Sequence, residues 1–392
     1  MTISAAPTLL ASPLTTPNAA EAAAAALAPR LFAHAPHSDQ EGSFPVDEFG
    51  WLREAGLLAA PLPTALGGCG LAEAASTEHL LSVLRHIGRG NLAVGRVYEG
   101  HVNALQLISR FGRPDQQVRW AADARAGHLF GVWNTEAQDG VKLEPLPNGR
   151  YRMHGSKTFG SGAGHLTRPL LTGALPDGGW QMVVLPADAL PPQYNNTFWR
   201  PLGMRATSSF RVDFTGLEID AQDLLGSPGD YYQQPWFSGG AIRFAAVQLG
   251  GAEAIFDETR RFLRELGRTD DPYQRQRLGE MSLLIASGQH WLRAAADFVA
   301  HPLSELSEAA TTEATVAHAN LVRSAIEELC LRLMPLAERC VGARGLLRPE
   351  PFERLHRDLT HYLRQPAPDA ALADVGRYAL QKKQPAYLLW ER

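Results

Sequence analysis

Thirteen histidines, three cysteines and 41 acidic residues are the groups in this 392-residue chain that could bind a metal, attack an electrophile or move a proton. Their spacing decides which of them could act together. Cys69, Cys330 and Cys340 lack the CxxC pairing of a zinc site or redox couple, so they read as reduced thiols and no metal site is expected. His128, His154, His165 and His301 are scattered without ligand spacing and read as structural or exposed. Arg260, Arg261, Arg264, Arg268, Arg275 and Arg277 form a cationic stretch that, taken alone, is a solvated helix face, as is Asp257-Glu258. His101 and His361 each lie in helical surroundings, where a histidine is either a satisfied buried ring or a donor in a site.

Composition narrows the partners. Lys plus Arg is 37 against 41 acidic residues, a net charge of −4, which gives no basic excess for nucleic acid. No run of about 18 apolar residues is present to span a membrane, and the N-terminus lacks the basic cluster and apolar stretch of a signal peptide. With unpaired cysteines, this predicts a cytoplasmic protein, for which the glycosylation-like Asn195-Asn196-Thr197 is irrelevant.

The elements that must position any site follow from hydropathy. Apolar residues at 45% and charged residues at 20% fit a globular chain long enough for two or three domains. Residues 1–16 are small, polar and Pro-rich and are expected to be a disordered tail. Asn18 with Glu21 three residues on reads as a capping box opening a helix. Helical periodicity runs to about residue 128. From 129 to 236, short alternating runs separated by Gly, Pro and Asn predict a β-barrel or sandwich. From 237 to 392 helical periodicity returns, with Ala241–Leu266 the first of four long helices that read as a bundle. The fold class is α+β, with helical, β and helical domains over 17–128, 129–236 and 237–392.

Five ordered strings on this layout resemble the acyl-CoA dehydrogenase superfamily, from about residue 45 to 376. They are Leu52–Leu57 with Pro61 and Gly67-Gly68-Cys69-Gly70; Trp133-Asn134-Thr135-Glu136; Gly155–Ser161; Leu202–Ser209 followed by Val212-Asp213-Phe214; and Gly342–Gly345 followed by Arg357-Asp358. The resemblance implies a flavin, FAD or alternatively FMN, between the β-barrel and the C-terminal four-helix bundle. It places Trp133, Asn134 and Thr135 beside the isoalloxazine, Phe159 on the ring and Ser161 near its reactive edge. It also places Arg268 on the cofactor phosphates, Arg243 at the substrate and the Gly342–Gly345 turn near a neighbouring subunit's cofactor. A homodimer or homotetramer is implied.

A dehydrogenase of this superfamily needs a carboxylate base beside the acyl thioester. The two usual positions hold Pro366 and Ile242, and two thioester-recognition positions hold Val141 and Gly240. A branch without that base oxygenates small molecules through a flavin hydroperoxide, using reduced flavin from a separate reductase. Thr360–Pro366 resembles a string of that branch, which implies His101, Asn134, Ser161 and His361 as its catalytic donors. The expected function is therefore oxidation or oxygenation of a small molecule by reduced flavin and O2. The alternatives are a dehydrogenase with a relocated base, for which Asp369 is the nearest carboxylate, and a non-catalytic binding protein of the same fold.

Overall fold

The computed structural model describes residues 14–186, 189, 194–300 and 307–390. Residues 1–13 of the expected tail, and His301, lie outside the described residues. Helix α1 (Pro17–Ser38) starts two residues earlier than the Asn18–Glu21 box predicts. Thr16 is the N-cap, its hydroxyl accepting the Ala19 N–H at 3.2 Å, and Pro17 takes the first turn. Glu21 is instead drawn across to helix α3 (Thr77–Gly90), where it accepts from Ser82 at 2.6 Å and meets His79 at 2.7 Å. Ala20, Ala24, Ala28 and Leu31 form the buried stripe of α1, small enough to let α3 come close. Helix α2 (Val46–Glu54) ends at the positive-φ Gly56. Helices α4 (Leu92–Phe111) and α5 (Pro114–Arg125) complete the first layer.

The described residues of the middle module form ten strands. They are β1 (Phe130–Trp133), β2 (Lys142–Pro145), β3 (Arg150–His154), β4 (Ser156–Gly160), β5 (Arg168–Ala174), β6 (Trp180–Val184), β7 (Tyr194–Asn195), β8 (Phe210–Asp213), β9 (Glu218–Asp220) and β10 (Leu224–Leu225). Seven form one sheet in the order β10-β6-β5-β2-β3-β9, with β1 parallel to β5, and the other three form a sheet in the order β4-β8-β7. The run from Phe210 to Ile219, one strand by its alternation, is split by a turn at Thr215-Gly216, so β8 and β9 serve different sheets.

A short helix α6 (Trp236–Gly239) leads into α7 (Ala241–Glu265), α8 (Pro272–Ala300), α9 (Glu308–Gly345), α10 (Phe352–Tyr362) and α11 (Pro368–Gln381). Helix α7 is the keel of the molecule and is packed by α3, α4, α8, α9 and α10. Glycines permit the approach of the N-terminal layer: a Cβ at Gly88 would sit 2.4 Å from the Val247 carbonyl oxygen, and one at Gly250 would sit 2.1 Å from that of Arg85. One core cluster runs through all three layers, so the helices and sheets are fixed relative to one another. None of the described helices is long and apolar enough to cross a membrane.

Candidate active site

The β side of the site is built on a buried cation. Lys157 on β4 has no exposed side-chain surface, and burial pulls its ammonium below its ordinary value. Its three N–H groups are all used: to the Asn134 carbonyl at 3.1 Å, to the Thr172 hydroxyl at 3.1 Å and to the Glu136 carboxylate. These bonds fix the segment 134–136 where β1 ends. The Asn134 Oδ1 accepts from Thr172 at 2.7 Å and from Tyr232 at 3.4 Å, and its Nδ2 makes no hydrogen bond among the described residues.

Two residues beyond Lys157 the strand pairing with β8 shifts register, and Phe159 stands there with φ of 52° and 51% of its surface exposed. A bulky residue held at positive φ and left open to solvent is strained for no packing gain, the pattern of a functional position. Its ring meets Phe198 and Trp199 edge-on at 5.2 and 6.2 Å. Trp199 in turn meets His361 at 5.4 Å. His361 makes no ring hydrogen bond among the described residues, and burial lowers its pKa, so its imidazole is neutral with one donor and one acceptor free. Ser161 joins a hydroxyl chain, with Ser209 at 2.9 Å and then Thr207 at 2.7 Å.

The loop carrying these groups is clamped to α10. A Cβ at Gly203 would lie 2.0 Å from the Arg357 carbonyl oxygen, so only glycine allows the approach. The next N–H, of Met204, donates to the buried Asp358 carboxylate at 2.6 Å. The Leu202–Ser209 string and the Arg357-Asp358 pair thus meet, close to where His361 faces Trp199.

The helical side carries a charge cluster. Arg96, Glu99 and Asn103 share one face of α4, and Arg243 reaches them from α7. Arg96 donates to one Glu99 oxygen, Asn103 donates to the other, and Arg243 Nε donates to the Asn103 Oδ1. Arg96 lies deep among protein atoms, yet 31% of its side-chain surface is open, whereas Glu99 beside it shows 3%. Its open face therefore borders a solvent-accessible cleft beside α4 and α7. Burial alone would depress the Arg96 guanidinium, but Glu99, with Tyr362 and Tyr231, outweighs it and holds it above its ordinary value. Burial prevails at Arg243, whose pKa is lowered. Tyr362 has a buried hydroxyl with no hydrogen-bond partner.

These groups form a closed circuit. Asn134 contacts Tyr232, Tyr232 stacks edge-on with Tyr231 at 5.1 Å, and Tyr231 feels Arg96, Glu99 and Arg243. Glu99 and Arg96 also reach Tyr362, whose neighbour His361 leads through Trp199 to Phe159 and back to β4. The circuit brings together Asn134, Phe159, His361 and Arg243, with Thr135 and Ser161 close by in the chain. It suits a flat aromatic ligand: Phe159 supplies an open aromatic plate, while Asn134 Nδ2 and His361 supply polar atoms for its edges.

Two expectations are corrected. His101 is fully buried, and both its ring nitrogens are consumed by backbone. Nδ1 accepts the Phe130 N–H at 3.1 Å, so Nε2 carries the proton and donates to the Leu58 carbonyl at 2.8 Å. Burial lowers its pKa to about 4. It pins a loop and β1 to α4 and has nothing left for a ligand. The indole of Trp133 is likewise core, buried beside Phe214 with its N–H donated to the Ser161 carbonyl at 2.9 Å.

Arg268, Gly342 and Gly345 lie apart from this circuit. Arg268 lines a cavity of about 180 Å³ with Arg260, Arg264 and Arg275, at the far end of α7. From Arg243 to Glu265, where α7 ends, the helix rises about 33 Å, and Arg268 lies just past that end, so one small ligand cannot touch both in one chain. Gly342 breaks α9 with φ of 61° and open space around it. Among the other histidines, His128 meets the Thr167 hydroxyl at 3.0 Å, His154 meets Glu144 at 2.9 Å and His165 stacks on Phe44 at 4.2 Å. No three His, Cys, Asp or Glu gather as a metal site among the described residues.

The sequence reading missed Arg96, Glu99, Asn103, Tyr231, Tyr232 and Tyr362. A signal was present: Arg96 and Glu99 interrupt the otherwise apolar stretch from Leu92 to Val102, and Tyr231, Tyr232, Trp236 and Phe237 crowd a polar loop.

Comparison with known proteins follows the same outline. Residues 17–128 match the family model for the acyl-CoA dehydrogenase N-terminal domain, and residues 242–363 match that for its C-terminal domain. Dibenzothiophene monooxygenase of Mycolicibacterium goodii is 26% identical over 383 residues, covering 88% of this chain and 90% of that protein. "Probable FMNH2-dependent monooxygenase SfnC" of Pseudomonas putida is 27% identical over 410 residues, covering 95% and 97%. FMN-bound TdsC from Paenibacillus sp. A11-2 shares the fold with a TM-score of 0.83 at 23% identity, covering 95% of this chain and 100% of that one.

Proposed function

The chain belongs to the acyl-CoA dehydrogenase superfamily, and from that premise we propose that it is a flavin-dependent monooxygenase, transferring one oxygen atom from O2 to a small molecule at the expense of FMNH2. The balance is substrate plus FMNH2 plus O2, giving oxygenated substrate, FMN and water. One observation carries the reading: among the described residues of the cleft, no carboxylate is free to take a proton. Ile242 is apolar and 4% exposed, Pro366 has no base, and Asp369 is exposed in the first turn of α11. Glu99, the carboxylate that is present, has one oxygen held by Arg96 and the other by Asn103. A dehydrogenase would need such a base aimed at the substrate carbon.

The cleft instead offers uncharged donors, which suit a site that must hold a reduced oxygen species and keep bulk water away. Ser161, His361 and Asn134 are these donors. When bound, the reduced flavin supplies the electron pair that activates oxygen. Phe159 holds its ring system, and Lys157 keeps the 134–136 segment rigid behind it. FMN, rather than the FAD put first by sequence, is the flavin in this reading. Its support is the FMN named for the relatives and neighbour above. Arg264 and Arg268 make no side-chain hydrogen bond or ion pair among the described residues and line one cavity, which suits a phosphate. Their distance from Arg243 makes them the contribution of a neighbouring subunit, so a homodimer or homotetramer completes the site, with the Gly342–Gly345 turn beside it. A separate flavin reductase supplies FMNH2. Three buried free thiols fit a reducing, cytoplasmic setting.

The test is anaerobic mixing of purified protein with photoreduced FMN, followed by oxygen. The protein should bind FMN and slow the release of hydrogen peroxide relative to free FMNH2. Butyryl-CoA should leave the oxidised flavin unbleached. Anaerobic bleaching by the acyl-CoA, or failure to bind any flavin, overturns the proposal.

A further inference from the structure

We propose that the cleft selects its substrate by a compact anionic headgroup, a single carboxylate or sulfur oxoacid, gripped by Arg96 and Arg243. This rests on the cleft being the substrate site of the monooxygenase proposed above. The donor inventory leads to it. Each guanidinium has five N–H groups. Among the described residues, Arg96 spends Nη1 on Glu99 and Arg243 spends Nε on Asn103, and no other hydrogen bond is made by either. The remaining N–H groups are a forked array of the kind that matches planar or tetrahedral oxyanions.

The charge count agrees. Two cations face one carboxylate, Glu99, and the other cluster members are neutral: Asn103 has no charge, and burial keeps the Tyr231 and Tyr362 phenols protonated. The cluster carries one net positive charge in a place where burial already pulls Arg243 down. An uncompensated buried charge is costly, and an incoming monoanion balances this one without excess.

Two independent features support a ligand here. The Tyr362 hydroxyl is buried and orphaned on the Arg96 and Glu99 side of the cluster, a further donor waiting for an oxygen. Gly240 also bears on it: a Cβ there would lie 2.6 Å from Arg243 Nη2, so the guanidinium rests on bare backbone at the start of α7 and no side chain from that position competes for it. Beyond the charges, Tyr231, Tyr232 and Phe237 pack edge-on at 5.1 to 5.6 Å, an aromatic wall for an apolar body. The substrate class is thus a small organic acid whose oxidisable atom is carried on an apolar or aromatic frame.

The experiment compares charged and neutral twins of one shape. FMN-loaded protein is titrated with benzoate against benzamide, and with benzenesulfinate against methyl phenyl sulfone, following the flavin absorption. The same pairs are measured by calorimetry on protein without flavin. Each anion should bind roughly 10- to 100-fold tighter than its neutral twin, the range of charge-assisted hydrogen bonds, and weaken as salt rises. Arg243→Gln and Arg96→Gln should each erase most of that preference while leaving FMN affinity unchanged, and Arg243→Lys should keep part of it. Neutral compounds binding as well as anions to wild-type protein that binds FMN normally overturns this inference and leaves the monooxygenase reading standing. Protein that binds no flavin but still prefers the anions does the reverse. Should either Gln variant fail to fold, the wild-type pairs and their salt dependence decide.

Discussion

Replacing Lys157 by Met tests whether the flavin wall is held by one buried ammonium. Met fills the volume of the stem but removes all three donated bonds. The Asn134 carbonyl, at 3.1 Å, loses its partner, and the Glu136 carboxylate loses its counter-ion. The Thr172 hydroxyl keeps its own bond to Asn134 at 2.7 Å. Breaking a buried pair by deleting one member costs about 3–5 kcal/mol. Glu136 keeps 30% of its side chain in solvent and can recover part of its hydration, which favours the lower end. At about 3 kcal/mol, and about 2.1 cal/mol/K of unfolding entropy per residue, a chain of this length melting as one unit should lose about 4 °C. FMN affinity should fall by about tenfold, because roughly 1.4 kcal/mol of the loss reappears as the cost of reordering the 134–136 segment on binding. Calorimetric melting and flavin fluorescence quenching measure the two effects, with Lys142→Met on the exposed edge of β2 as control. An unaltered melting temperature would refute the stability argument. A destabilised variant that binds FMN as tightly as wild type would refute the link between the buried cation and the site.

Acid titration should separate two buried groups of opposite sign. His101 is held at about 4 when folded against about 6.5 unfolded, so its contribution is complete above pH 6.5 and about 3 kcal/mol is lost on going down to pH 4; His101→Gln should remove that loss. Burial lifts Asp358 to about 6 against an ordinary 3.8, so folding gains from this group as pH falls from 6 to 4, and Asp358→Asn should acidify less gracefully than wild type. Denaturant midpoints measured from pH 7 to 4 should therefore diverge in opposite directions for the two variants; parallel curves contradict both assignments. Ser161→Ala, which breaks the 2.9 Å contact to Ser209, should leave FMN affinity near wild type and raise the share of oxygen released as hydrogen peroxide; unchanged coupling would remove Ser161 from the chemistry.

The layered fold was legible because periodicity is a local property: Ala241–Glu265 and Pro272–Ala300 announce themselves by where their apolar residues recur. The site was legible only where backbone geometry constrains residue type, as at Gly203 and Phe159. His101 misled because a histidine on an apolar helix looks the same whether its nitrogens face a ligand or a backbone carbonyl and a backbone N–H, and only the tertiary approach of Leu58 and Phe130 decides. Arg268 shows how little sequence says of distance, since it lies just past the end of the helix that begins beside Arg243 and is far from it in space. The α4 charges escaped because their meaning depends on Arg243, 140 positions away, arriving from another helix.

Glu99 is where the competing chemistries part. As a general base it would have to leave its cage, shedding Arg96 and Asn103 to reach a substrate carbon, and nothing in the cleft would pay back those two bonds. As a counter-charge it lowers the local charge from two to one and so sets how strongly an anion is drawn in. Glu99→Gln keeps the shape and the bond to Asn103 but removes the charge. If Glu99 is a base, the variant loses turnover outright while ligand affinity stays put. If it is a counter-charge, benzoate should bind more tightly, by about tenfold for one added unit of charge worth about 1.4 kcal/mol at this depth, and oxygen transfer should persist. The protein should also be less stable, because Arg96 and Arg243 then repel across a neutral amide, and added benzoate should restore part of the lost melting temperature. A Glu99→Gln protein that folds, binds FMN, ignores benzoate and is dead in turnover would return the cleft to base chemistry.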